Sequence, residues 1–160
     1  MKKSLLIAAM LLGGALCSFA GLWTEDFDAA LTQAKESGKY VLVDFSGSDW
    51  CGWCKKLDKE VFGKKEFKEF AKDNLVCVLI DFPRQKPQSN KKKEANQVLM
   101  EKYAVKGFPT ILLFSPQGDV AAATGYEPGG VEAYIKHLQG LIDQNKIEVD
   151  KKAKESQPQP

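Results

Sequence analysis

The chain has 160 residues and a near balance of charge, 23 basic against 21 acidic side chains, for a formal +2 at pH 7. That balance does not point to nucleic acid as a partner. Hydrophobic residues make up 44%, enough for a packed core, so the chain reads as globular.

Met1-Lys2-Lys3 is followed by an apolar run over residues 5–16 and by Ser18-Phe19-Ala20, with small residues where a signal peptidase reads. This is the pattern of a cleaved secretory signal peptide over residues 1–20. A retained anchor is the competing reading, but residues 4–20 fall short of the roughly 20 needed to span a bilayer and include two glycines. A lipoprotein acylated at Cys17 would need a small residue before the cysteine and finds Leu16. Cleavage removes Lys2 and Lys3 and no acid, leaving 21 basic against 21 acidic residues. About 140 residues remain, one domain's worth.

Thr24 is the expected N-cap of a first helix, with Phe27, Ala30, Leu31 and Ala34 on one face and Gly38 as its stop. Tyr40–Ser46 is a continuous apolar strand broken only by Asp44, the pattern of a central strand covered on both faces. A helix begins at Cys51, with a break expected near Gly63 and a resumed stripe over residues 64–72. Leu75–Asp81 is the next strand, and residues 82–94, with Pro83, Pro87 and the Lys91-Lys92-Lys93 run, read as a polar connection of surface elaboration.

Ala95, Val98, Leu99 and Tyr103 mark a third helical stripe. Ser115-Pro116-Gln117-Gly118-Asp119 joins residues 111–114 to Val120–Thr124 as an antiparallel hairpin. Val131, Tyr134, Ile135, Leu138, Leu141 and Ile142 define a closing amphipathic helix, after which residues 143–160 are expected to be a flexible tail. The order predicts an α/β fold with a mixed four-stranded sheet and helices on both faces, and residues 21–23 offer a fifth, edge strand.

Chemistry concentrates at Trp50-Cys51-Gly52-Trp53-Cys54-Lys55. Two thiols at this spacing, between a strand and a helix, make a redox signature. At a helix N-terminus, unpaired N–H groups and the helix dipole favour the nucleophilic thiolate of Cys51. A zinc site would need about four ligands, and only Cys77 and His137 remain to complete one; no metal and no cofactor are therefore expected. Cys77 reads as a buried core thiol, and His137, off the last helix's stripe, as an exposed residue without a chemical role.

With Gly107-Phe108-Pro109-Thr110 ahead of residues 111–114, the stretch from Trp23 to Ile142 resembles the thioredoxin superfamily. Ser46-Gly47-Ser48-Asp49-Trp50 and the continuation after Cys54 are most similar to secreted bacterial thioredoxin-like proteins and to the periplasmic domain of transmembrane disulfide reductases. The resemblance implies a thioredoxin-like domain over residues 21–142, with a mixed four- to five-stranded sheet. It also implies that Cys51 attacks a substrate disulfide, that Cys54 resolves the mixed disulfide, and that Asp44 assists proton transfer. The segment between Asp44 and Cys51 is one residue longer than in thioredoxins, and a hydrogen-bonded structural role for Asp44 stays open. Pro109 is implied to be cis, with Phe108 and Pro109 beside Cys51 where an extended substrate pairs. Trp50 and Trp53 are implied to offer that substrate an apolar platform. Cys77 falls near the position of the lysine that pairs with the strand aspartate in thioredoxins.

Gly52-Trp53 matches neither the Gly-Pro of reducing thioredoxins nor the Gly-His of isomerases. A reductase or electron carrier is favoured by resemblance, acting on disulfide-bearing proteins or peptides and fed by a membrane or soluble thiol donor. The expected setting is periplasmic or secreted, and the expected state monomeric. A non-catalytic client-binding module and copper handling by the two thiols remain as alternatives.

Overall fold

A computed structural model describes residues 21–156; residues 1–20, where the signal peptide is expected, and residues 157–160 lie outside the described part. The elements in chain order are β1 (Trp23–Thr24), α1 (Phe27–Ser37), β2 (Tyr40–Ser46), α2 (Gly52–Leu57), a π-helical turn (Asp58–Phe62), α3 (Lys65–Asn74), β3 (Leu75–Asp81), α4 (Asn90–Lys102), β4 (Thr110–Phe114), β5 (Val120–Thr124) and α5 (Gly130–Glu155). The sheet order is β1-β3-β2-β4-β5. β1 and β2 both run parallel to β3, whereas β4 is antiparallel to β2 and to β5. The edge strand offered by the sequence thus forms, two residues long, over Trp23–Thr24.

Strand alternation divides the core. Tyr40 and Leu42 of β2 join Leu57, Val61, Phe67, Tyr134 and Leu138 on one face. Val41, Val43 and Phe45 join Phe27, Ala30, Ile80 and Phe114 on the other. All seven residues of β2 are buried, Asp44 included, as expected of a central strand covered on both sides. By the same alternation Asp44 emerges on the face of Leu42, the one covered by α2, α3 and α5.

The break near Gly63 takes the form of a π-helical turn between α2 and α3. Gly63 donates its N–H to the Asp58 carbonyl at 2.7 Å, and a Cβ at this position would stand 3.0 Å from that oxygen. Close backbone approach is therefore what selects glycine here.

Four expectations need correction. The N-cap of α1 is Asp26, whose Oδ1 accepts the Ala29 N–H at 3.0 Å, while Thr24 closes β1 and its Oγ1 accepts the Asp26 N–H. The connection after β3 ends at Ser89, whose Oγ caps α4 through the Lys92 N–H, so the lysine run forms the first turn of that helix. In α4, Val98 and Ala95 face solvent, and the buried position is Asn96, whose Nδ2 donates to the Asp81 carbonyl at 2.8 Å. α5 continues to Glu155 through most of the stretch expected to be a tail. It is anchored by buried Tyr134, Leu138 and Ile142 and by the Tyr40 hydroxyl, which donates to Asn145 at 3.0 Å. Once nucleated, a helix propagates cheaply over residues such as Lys151, Lys152, Ala153 and Lys154.

Candidate active site

The segment joining β2 to α2 is built as a tethered turn. The N–H groups of Trp50 and Cys51 both donate to the Gly47 carbonyl, at 3.2 and 2.8 Å. Gly47 is also where the Trp50 indole folds back: a Cβ there would lie 2.5 Å from the ring. Asp81, at the end of β3, accepts the Ser48 N–H at 2.8 Å and the Ser48 hydroxyl at 2.6 Å. Asp49 accepts three backbone N–H groups, from Arg84, Gln85 and Lys86, at 3.0, 2.7 and 2.9 Å. Those contacts, led by the Arg84 N–H and joined by the charge of Lys86, hold its carboxyl down at about 2. The longer turn is thereby locked to the connection after β3.

This turn delivers Cys51 to the N-cap of α2. Its Sγ accepts the Cys54 N–H at 3.2 Å, and the two cysteines form a disulfide with Cα atoms 5.3 Å apart. Both sulfur-bearing residues are buried, with exposures of 6% and 5%. A helix N-terminus aimed at this sulfur favours its anionic form on reduction.

Beneath the disulfide lies a cavity of about 290 Å³ lined by Cys54, Asp44, Asp58, Lys55, Ser46 and Leu79, among others. Asp44 is 7% exposed, and its Oδ1 has no hydrogen-bond partner among the described residues. Burial, reinforced by the charges of Asp81 and Asp58, pushes its carboxyl up to about 7. Despite the extra residue in the turn, Asp44 and Cys54 thus share one cavity. The alternative of a structural aspartate satisfied by hydrogen bonds lacks the partner it needs at Oδ1.

Level with Asp44 across the β2–β3 pair stands Leu79, while Cys77 is level with Leu42. Cys77 is a free, buried thiol, pushed up to about 12 by burial. His137 departs from expectation: it is half-buried, with Nε2 2.9 Å from Thr124 Oγ1. Among the described residues no cluster of three or more His, Cys, Asp or Glu side chains is arranged to hold a metal.

The Phe108–Pro109 peptide is cis. Phe108 meets the Trp50 ring edge-on with centroids 5.9 Å apart and stacks on Phe82 at 5.1 Å. The two tryptophans differ. Trp50 is half-buried, and its Nε1 donates to the Phe82 carbonyl at 2.8 Å. Trp53 is 57% exposed and leans on Tyr126, with centroids 5.1 Å apart. Lys56 Nζ lies 5.1 and 5.0 Å from the centres of those two rings, and the Tyr126 hydroxyl donates to Glu60 at 2.8 Å.

Sequence reasoning missed Asp58, Tyr126 and Arg84. Asp58 carried a usable signal, since it follows Cys54 by four residues and so shares its helix face. Tyr126 carried none, lying after β5 and reaching Trp53 only through the fold. Arg84 was hidden in a connection read as mere elaboration.

Residues 27–139 match the family model described as a thioredoxin-like domain. A curated relative, "Disulfide bond reductase DsbH" of Chlamydia pneumoniae, is 36% identical over 123 residues, covering 77% of this chain and 74% of its own length. "Thioredoxin-related protein DsbJ" of the same organism is 35% identical over 128 residues, 76% of this chain but 37% of that protein. "Thiol:disulfide interchange protein DsbD" of Vibrio cholerae is 32% identical, and the match spans only 18% of its length. Among solved structures, "DsbH Oxidoreductase" superposes with a TM-score of 0.71 at 31% identity, covering 89% of this chain and 95% of that one.

Proposed function

This chain belongs to the thioredoxin-like domain family, and on that premise we propose that it is an exported thiol–disulfide oxidoreductase that reduces protein or peptide disulfides through Cys51 and Cys54. The observation that carries the reading is the Cys51 sulfur at the N-cap of α2, accepting the Cys54 N–H at 3.2 Å. The name of the Chlamydia relative, a disulfide bond reductase, supports the reducing direction. The Met1-Lys2-Lys3 start, the apolar run and Ser18-Phe19-Ala20 support export to a periplasmic or extracellular space.

In the reduced protein, the Cys51 thiolate attacks one sulfur of the substrate disulfide. A Cys51–substrate bond forms, the substrate S–S bond breaks, and the departing sulfur leaves as a thiolate that takes up a proton. Cys54 then attacks Cys51 Sγ, closing the protein disulfide and releasing the second substrate thiol. The substrate has gained two electrons from the dithiol and two protons, one originating on Cys54 and one from solvent. Asp44, held near 7 in the cavity it shares with Cys54, is suited to take the Cys54 proton as that sulfur becomes nucleophilic. Trp50, Trp53, Phe108 and Pro109 form the surface against which the substrate chain lies. The domain over residues 21–142 acts as a monomer without a cofactor, and a membrane or soluble thiol donor restores the dithiol.

Insulin reduction by dithiothreitol tests the reading. The wild-type protein should accelerate it, Cys51→Ser should not, and Cys54→Ala should accumulate a mixed disulfide visible by mass spectrometry. Equal rates for wild type and Cys51→Ser would remove the enzymatic claim and leave a binding module.

A further inference from the structure

The connection over residues 82–89 is long for a simple link, and it is tied to the turn that carries Cys51. Asp49 takes three of its N–H groups, the Phe82 carbonyl receives the Trp50 indole N–H at 2.8 Å, and Lys86 Nζ donates to Ser48 Oγ at 3.2 Å. The result is a fixed rim beside the disulfide, and on it Arg84 lies with its guanidinium carbon 3.7 Å from the centre of the Trp50 ring.

Contact with the ring face leaves the guanidinium N–H donors without a partner among the described residues, and a guanidinium fork matches a carboxylate. Arg84 is exposed, and it forms no ion pair among the described residues. Asp49, which stays ionised, spends its oxygens on three backbone N–H groups and makes no ion pair with the guanidinium. Lys55, immediately after Cys54, is likewise exposed and unpaired among the described residues. Arg84 and Lys55 therefore leave two cationic groups at this rim free to meet an acidic chain.

We infer that Arg84, resting on the residue adjacent to the attacking cysteine, is a specificity-determining residue that binds a carboxylate close to the reacting disulfide of a polypeptide substrate. The inference rests on the oxidoreductase reading and adds the substrate class: chains with Asp or Glu beside the cysteine to be reduced. The acidic side chain meets the guanidinium edge while the substrate sulfur faces Cys51. Because the contact lies at a solvent-exposed rim, it changes the rate severalfold and is sensitive to salt.

The test uses the reduced protein and three matched disulfide-linked peptides that differ only in Glu, Gln or Lys beside the cysteine. Each rate is divided by that of dithiothreitol with the same peptide, which cancels the intrinsic reactivity of the disulfide. Wild type should favour the Glu over the Lys peptide by about fivefold at low salt, and the preference should shrink toward unity at about 0.5 M salt. Arg84→Gln should bring the low-salt ratio to within about twofold, whereas Lys86→Gln, whose ammonium is already engaged by Ser48 and near Asp49, should keep most of it. A ratio unchanged in Arg84→Gln, or lowered equally by both substitutions, overturns the assignment. Failure of the wild-type protein to reduce any of the three peptides would instead overturn the oxidoreductase reading beneath it.

Discussion

Replacing Asp44 by asparagine should stabilise this protein at alkaline pH and leave it nearly unchanged at acid pH. The folded chain holds the Asp44 carboxyl at about 7 in place of its ordinary 3.8, burial being the largest cause and Asp81 and Asp58 adding to it. At about 1.4 kcal/mol per tenfold change in proton affinity, the fold prefers the protonated acid by about 4 kcal/mol. The sign follows from counting protons. Between pH ~4 and ~7 the folded chain keeps a proton that the unfolded chain has released, so stability falls as pH rises and levels off above about 7. Asp44→Asn is neutral throughout and escapes the loss. At pH ~8 the variant should be the more stable by up to about 4 kcal/mol, reduced by about 1–2 kcal/mol if its amide finds no partner.

Urea unfolding of the oxidised proteins, followed by tryptophan fluorescence from pH ~4 to ~8.5, measures the gap; the Cys51–Cys54 disulfide does not titrate and Cys77 is common to both proteins, so it cancels in the difference. Parallel stability–pH curves, or a gap that widens toward acid, would refute the account of a buried carboxyl without a partner. The same substitution should slow closure of the protein disulfide by about 10²-fold, the lower end of what a positioned proton acceptor contributes.

In the native reduced protein Cys77 should resist iodoacetamide while Cys51 reacts, because burial holds the Cys77 thiol near 12; peptide mapping after brief labelling would tell, and equal labelling contradicts the buried placement. Asp49→Ala removes the acceptor of three N–H groups, so amide exchange at residues 84–86 should quicken. In the parent protein the tether is present above the ordinary carboxylate range and is lost only as pH falls through about 2, so exchange protection there should persist at pH ~3. Gly47→Ala should expel the Trp50 indole, since the new methyl would stand 2.5 Å from it. A shift in tryptophan fluorescence together with reduced peptide reduction would be the signature, and an unaltered spectrum would count against the packing described.

Much of this fold was legible because its signals are local. β2 and β3 coincide with the expected strands because each is a mostly apolar run on a largely buried strand, and the Cys51 helix start is marked by the cysteine spacing itself. Gly63 announced the break between α2 and α3, although its reason, the approach of the Asp58 carbonyl, is visible only in the backbone. Half of the α4 stripe was legible, since Leu99 and Tyr103 pack on the core, whereas Ala95 and Val98 face solvent because the buried residue beside them is polar: Asn96 turns inward to serve the Asp81 carbonyl, a partner that periodicity of apolar residues does not report. The end of α5 was placed too early because a charged composition was read as an inability to order, whereas a helix already anchored at Tyr134, Leu138 and Ile142 extends over such residues.

The order of apolar runs, glycines and the paired cysteines was enough to establish the α/β class and where the two sulfurs sit, because hydrophobic period and helix-end chemistry act within a few residues. Tertiary packing alone decided what surrounds those sulfurs. Asp44 became an unpaired buried acid when α2 closed over β2, Trp53 met Tyr126 across the molecule, and Arg84 came to rest on Trp50 because Asp49 captured the backbone of a distant connection. Such contacts depend on where separate elements stop in space, and chain-local preferences carry no information about that.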